Sequence, residues 1–191
     1  MAPATALVTV GSTSFDALVA AAVTPPVVVA LTARGIGRLL IQYGRGAAPP
    51  ALPLPSPPPP SAPSPGAAPS PPLPPLEVVA FAFKPSLASD MAAASLVVTH
   101  GGAGSVLEAL RSGVPTVVVV NGGLMDNHQT ELATALAEGG HAATAAPTAE
   151  ALAAVVGGWA WEKRAPLPPP RGGVFGGVLA QELVVAYDPW G

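Results

Sequence analysis

Three short stretches of the chain hold residue types whose spacing suits chemistry. The richest runs from His100 to Glu108, where Gly101, Gly102 and Gly104 surround Ala103 and are followed by Ser105, Val106, Leu107 and Glu108. Glycines let a backbone come close to an anion, and the unpaired N–H groups that open a helix favour negative charge. His100, Gly102, Ala103, Gly104 and Ser105 therefore suit a phosphate or diphosphate. Glu108 lies one helical turn on, on the same face as Gly104 and Ser105, where a carboxylate can accept hydrogen bonds from sugar hydroxyls. The alternative for Ser105 and Glu108 is a capping box, which stabilises a helix with no ligand present. Gly11, Ser12, Thr13 and Ser14 form a second strand-to-helix turn able to offer backbone N–H groups to phosphate. Its alternative is plain serine or threonine capping. The third stretch ends in Asp126, Asn127, His128 and Gln129, donors and acceptors suited to sugar hydroxyls. Asp126 with Gln129 also reads as a cap pair. His100 and His128 lack a third ligand at regular spacing, so no metal is expected.

These stretches need elements to hold them at one place. Short apolar runs at Ala6–Val10, Arg38–Tyr43, Glu77–Phe81, Ser95–Thr99 and Pro115–Val120 read as strands, and His141–Thr144 as a short sixth. Between them, helices are predicted over Ser14–Ala22, Pro25–Arg34, Ser86–Ala94, Gly104–Ser112, Asn127–Glu138 and Thr148–Val156. The Pro115–Val120 run is apolar on both faces, as a buried parallel strand should be. Strands alternating with helices predict an α/β fold, a Rossmann-like doubly wound parallel sheet. Ligands of such sheets sit at the carboxyl ends of the strands, and all three stretches fall there.

Composition narrows the function further. Of the 191 residues, half are hydrophobic and a tenth charged, with a net charge of −3. That balance offers no basic face for nucleic acid. With no cysteine, disulfides, thiol nucleophiles and thiolate metal sites are excluded. The first residues lack the basic region of a signal peptide, and the apolar run from Ala17 to Leu31 is broken by Pro25 and Pro26, so a cytoplasmic protein is expected. The segment 47–76 holds fifteen of the 26 prolines and no charge. It is predicted to be a disordered or polyproline insert, either a tolerated surface insertion or a ligand for a proline-recognition domain. Residues 1–157 are expected to form the binding domain, and 158–191 a loop and terminal helix.

Taken together, the three stretches resemble a known family. The chain resembles the catalytic subunit of the two-subunit UDP-N-acetylglucosamine transferase that adds the second sugar to the dolichol-linked precursor of N-glycans. It is more distantly similar to the C-terminal donor half of the bacterial murein glycosyltransferase, of family-28 type. Val8–Asp16, Leu40–Gly46, Phe83–Ser86, His100–Ala109 and Leu124–Ala133 carry the likeness. The resemblance implies half of a GT-B glycosyltransferase fold, with UDP-GlcNAc as donor substrate and no other cofactor. By the same resemblance Gly11 and Ser12 line the phosphate side, Gly102–Ser105 face the diphosphate, Glu108 holds the ribose, and Asn127, His128 and Gln129 meet the donor sugar. It implies inverting β1,4 transfer to GlcNAc-diphosphodolichol at the cytosolic face of the endoplasmic reticulum, with a membrane-anchored subunit binding the acceptor. The terminal segment resembles a helix that packs on that partner. No general base is assigned, His128 and the partner being the candidates. The alternatives are a non-catalytic nucleotide-sugar-binding subunit or another UDP-sugar enzyme on the same half-fold. The chain departs from the family at Gly122, where an acidic residue is common, at Gly101, often alanine, and in the insert.

Overall fold

The computed structural model describes residues 3–52, 75–120 and 127–158, with the side chains of Asn127 and His128 excepted. Most of the proline-rich insert, the stretch 121–126 and the terminal segment from 159 onward lie outside the described residues. Six strands alternate with helices in the order β1 (Ala4–Thr9), α1 (Asp16–Ala22), α2 (Pro25–Ala33), β2 (Ile36–Gln42), β3 (Glu77–Phe81), α3 (Ala88–Ala93), β4 (Leu96–His100), α4 (Ala103–Arg111), β5 (Thr116–Val119), α5 (Asn127–Glu138), β6 (Ala143–Ala145) and α6 (Ala149–Gly158). All strand pairs are parallel and lie in the order β3-β2-β1-β4-β5-β6. This is the Rossmann strand order, whose direction of winding reverses between β1 and β4.

Burial on both faces explains why the central strands read as continuous apolar runs. One face of the sheet packs Val8, Leu39, Ile41, Val98 and Val117 against α1, α2 and α6 through Leu18, Val27, Leu31 and Leu152. The other packs Leu7, Leu40 and Val97 against Met91 of α3 and Ala109 of α4, and Val118 against Val106 of α4 and Leu132 and Leu136 of α5. Fully burying a leucine-sized side chain contributes about 1.5–3 kcal/mol, so these two layers hold the carboxyl edge rigid. Pro25 and Pro26 open α2 instead of breaking it, since the first helical turn needs no N–H donors. Thr148 caps α6 through its Oγ1, which accepts from the Ala151 N–H at 3.2 Å. No single helix among the described residues is long and apolar enough to cross a membrane. The bent pair α1 and α2 is apolar enough by composition, but Leu18, Val19, Val27 and Leu31 are core residues.

Candidate functional site

The reversal of winding brings two turns side by side at the carboxyl edge. Thr9 pairs with Thr99 across β1 and β4, so Gly11–Ser14 and Gly101–Ser105 leave adjacent strands. Gly11 adopts a φ of +62°, a left-handed conformation that favours glycine. A Cβ there would also stand 2.7 Å from Cε1 of His100 and 3.0 Å from Oγ of Ser105. A Cβ on Gly102 would collide with Nε2 of the same imidazole. One edge of the His100 ring thus lies between the Gly11 and Gly102 backbones, and both positions are glycine because that ring passes between them.

His100 itself ends β4. Its Nδ1 is buried and meets no hydrogen-bond partner among the described residues. Burial pushes the imidazole below its ordinary pKa of 6.5, and the Thr9 backbone opposes that shift only partly. The neutral form is therefore favoured at the edge where the two turns meet.

The helix that follows is built differently from the capping-box alternative. Gly102 is the N-cap of α4, with extended φ and ψ and no side-chain cap bond. Ser105 then sits inside the first turn, so it does not cap the helix, and the Ser105–Glu108 capping box is absent. The first intrahelical bond at this end runs from the Val106 N–H to the Gly102 carbonyl at 3.0 Å. The N–H groups of Ala103, Gly104 and Ser105 precede it and have no helical partner. Ala103 and Gly104 are exposed and Ser105 is half-buried. Val106, Ala109 and Leu110 anchor the opposite side of α4 in the core. Glu108 is exposed, and among the described residues its carboxylate makes no hydrogen bond or ion pair.

The first turn is held as firmly, and again not by capping. Phe15 is the N-cap residue of α1, with no side-chain cap bond from Ser12, Thr13 or Ser14. A buried polar row under the turn does the work instead. Thr9 Oγ1 donates to Gln42 Oε1 at 2.6 Å and accepts from the Gly11 N–H at 3.1 Å. Gln42 Nε2 donates to the Gly11 carbonyl at 2.7 Å and to the Ala82 carbonyl at 2.8 Å. Beyond β2, the Arg45 N–H bonds the Thr13 carbonyl at 3.0 Å and the Ala47 N–H bonds Asp16 Oδ1 at 2.9 Å. Sequence reasoning assigned no role to Thr9 or Gln42. The available signal was a polar residue completing an otherwise apolar strand at its carboxyl end, where an unpaired polar group would be costly.

The third stretch is only partly in view. Asn121–Asp126 lies outside the described residues, and so does the Asp126 half of the cap-pair alternative. Asn127 and His128 open α5. Gln129 is half-buried, and a Cβ on Gly101 would lie 3.1 Å from both its Cβ and its Oε1. The start of α5 therefore meets the glycine turn directly. Gly11, Ser12, His100, Gly102–Ser105 and Gln129 converge on one edge, and Glu108 follows one turn along α4. Among the described residues, no three His, Asp or Glu side chains come together in a way that would hold a metal ion.

Known proteins are similar to this chain in sequence and fold. Residues 5–160 match the glycosyltransferase family 28 C-terminal domain. The UDP-N-acetylglucosamine transferase subunit ALG13 of Mus musculus is 43% identical over 141 residues, which cover 71% of this chain and 10% of that protein. The chain thus spans about a tenth of the mouse protein's length. The subunit of the same name from Eremothecium gossypii is 34% identical over 176 residues, covering 87% of each chain. An NMR solution structure of ALG13 superposes with a TM-score of 0.60 at 25% identity, covering 88% of this chain and 90% of that one. The sheet is thus one half of a GT-B glycosyltransferase fold. By domain, sequence and fold together, the chain belongs to glycosyltransferase family 28, in the family of the ALG13 proteins it resembles.

Proposed function

We propose that this chain is the donor-binding half of a glycosyltransferase that moves N-acetylglucosamine from UDP-GlcNAc to GlcNAc-diphosphodolichol. The observation that carries this is the meeting of the Gly11–Ser14 and Gly101–Ser105 turns where β1 and β4 lie side by side. The exposed Ser12–Ser14 segment beside the open first-turn N–H groups of Ala103, Gly104 and Ser105 suits a diphosphate better than any single-charge ligand. In the proposed complex the diphosphate rests on Ser12 and on the first turn of α4. The ribose hydroxyls meet Glu108, and the sugar meets Gln129 with Asn127 and His128. As the glycosidic bond breaks, charge grows on the leaving diphosphate. Fixed amide dipoles stabilise that charge without reorganising, so no bound metal is needed in this scheme. Attack from the face opposite the diphosphate inverts the anomeric centre and forms a β1,4 bond. The general base then comes from His128 or from the partner.

The acceptor is a lipid, and no single helix among the described residues can enter a bilayer. The proposal therefore includes a membrane-anchored partner that binds the acceptor and recruits the chain to the cytosolic face of the endoplasmic reticulum. The segment 158–191 is proposed to pack on it. Co-expression of the two subunits, followed by sugar transfer from UDP-GlcNAc to the lipid acceptor, tests the whole scheme. Transfer is expected only with both subunits present. Normal UDP binding with no transfer would overturn the catalytic claim and leave a nucleotide-sugar-binding subunit.

A further inference from the structure

The buried amide of Gln42 does more than fasten two strands. In a trans peptide the carbonyl of one residue and the N–H of the next point in opposite directions. Gln42 Nε2 pulls the Gly11 carbonyl inward at 2.7 Å, so the N–H of Ser12 in the same peptide points outward, toward the exposed edge. Glycine at φ +62° is the residue most able to let such a peptide turn over. A flipped peptide would present a carbonyl oxygen where the N–H stood and would repel an anion.

The orientation of the amide is itself fixed. Its Oε1 accepts from the Thr9 hydroxyl, and Nε2 serves the Gly11 and Ala82 carbonyls at once. Reversing the amide would set its oxygen against both carbonyls. Thr9 closes the loop by accepting the Gly11 N–H, so both peptides flanking Gly11 are tied. Gln42 is 2% exposed and Thr9 fully buried, and water does not compete for these bonds.

We infer that Gln42 is a positioning residue that sets the polarity of the Gly11–Ser12 peptide, and thereby the affinity of the site for phosphate. The inference rests on the donor-site proposal above, which assigns the diphosphate to Ser12, but names a residue that never touches the ligand. The test is calorimetric titration of the full chain with UDP and, separately, with uridine. Gln42→Met keeps the side chain's length and removes its hydrogen bonds. It is expected to weaken UDP about tenfold, the equivalent of one charge-assisted hydrogen bond, and to leave uridine unchanged. The Ser12 amide resonance should shift or broaden in the ligand-free variant while the rest of the ¹H–¹⁵N spectrum stays dispersed. Unchanged UDP affinity in a folded Gln42→Met chain overturns the inference and leaves the donor site standing. Failure of the wild-type chain to bind UDP overturns the donor proposal and the inference with it. Should Gln42→Met not fold, Thr9→Val carries the test, because it removes the hydroxyl that holds the amide oxygen and the Gly11 N–H. UDP should weaken about threefold and recover in Thr9→Ser, which keeps the hydroxyl. Equal loss in Thr9→Ser would show a packing role and refute the latch.

Discussion

Gly104→Ala is expected to make the protein more stable and its donor site worse. Gly104 is the second residue of α4, it is exposed, and a Cβ there would have no neighbour within 4 Å. Alanine in a helical position that accepts it without strain stabilises a protein by about 0.5–1 kcal/mol. For a domain of this size that corresponds to a rise in Tm of about 1–4 °C. The same methyl group stands on the exposed first turn, where the proposed donor site brings phosphate oxygens within about 3 Å of the amides. Losing one such charge-assisted bond costs about 1.5–3 kcal/mol, or roughly 10- to 150-fold in Kd. Thermal melting and titration with UDP on the same preparation read the two effects separately. A raised Tm with unchanged UDP affinity would refute the assignment of the diphosphate to α4. A lowered Tm would refute the local geometry instead.

The other substitutions act in different directions. Glu108→Ala should weaken both UDP and uridine by about 1–3 kcal/mol in calorimetry if the carboxylate holds the ribose, with little change in Tm because Glu108 belongs to no capping box. Gly11→Ala should lower stability in urea by about 2 kcal/mol or more, since a left-handed alanine costs about 1–2 kcal/mol before any overlap with His100 is counted. His100 should make stability fall in acid. Its folded pKa is depressed below 6.5, so the unfolded chain binds the proton first as pH drops. Its contribution is complete above 6.5 and is lost as pH falls from there toward the folded value. The urea midpoint measured between about pH 7 and pH 5 should therefore decline, and His100→Gln should flatten that decline.

Much of the framework was legible from the residues because local signals agreed. β3 at Glu77–Phe81 and α5 at Asn127–Glu138 have the predicted bounds, and the chain leaves α5 through Gly140 at a φ of +69°. Other ends moved by at most two residues, as at α1, predicted from Ser14 and observed from Asp16. There the serines read as helix starters, but the Gly11–Ser14 segment is held outside the helix by β2 and its following loop. The same kind of long-range tie was invisible at Gln42. Nothing within β2 says that its amide will meet Thr9, Gly11 and Ala82, because those partners come from other strands and loops. His100 between Gly11 and Gly102 was hidden for the same reason: only the pairing of β1 with β4 brings the two glycines together.

That contact changes what the glycines mean. A glycine-rich turn is usually taken as a phosphate cradle, yet a glycine also appears wherever a neighbour leaves no room for a Cβ. Gly102 clears the His100 ring, and Gly101 leaves only tight space beside Gln129, so each has a reason within the protein. Gly104 has none. It lies in a helix, where alanine would be better by about 1 kcal/mol. A Cβ there would meet nothing within 4 Å among the described residues, and the position faces solvent. Neither packing, φ nor capping accounts for it, because the N-cap is Gly102. The Ser105–Glu108 pair is in the same position once the capping box is gone, leaving Glu108 an exposed carboxylate with no partner among the described residues. Within α4, Gly104 and Glu108, one turn apart, are thus two residues with no internal partner among the described residues. A ligand that approaches the backbone at its first turn and places hydroxyl groups one turn further along accounts for both, and a nucleoside diphosphate has that shape.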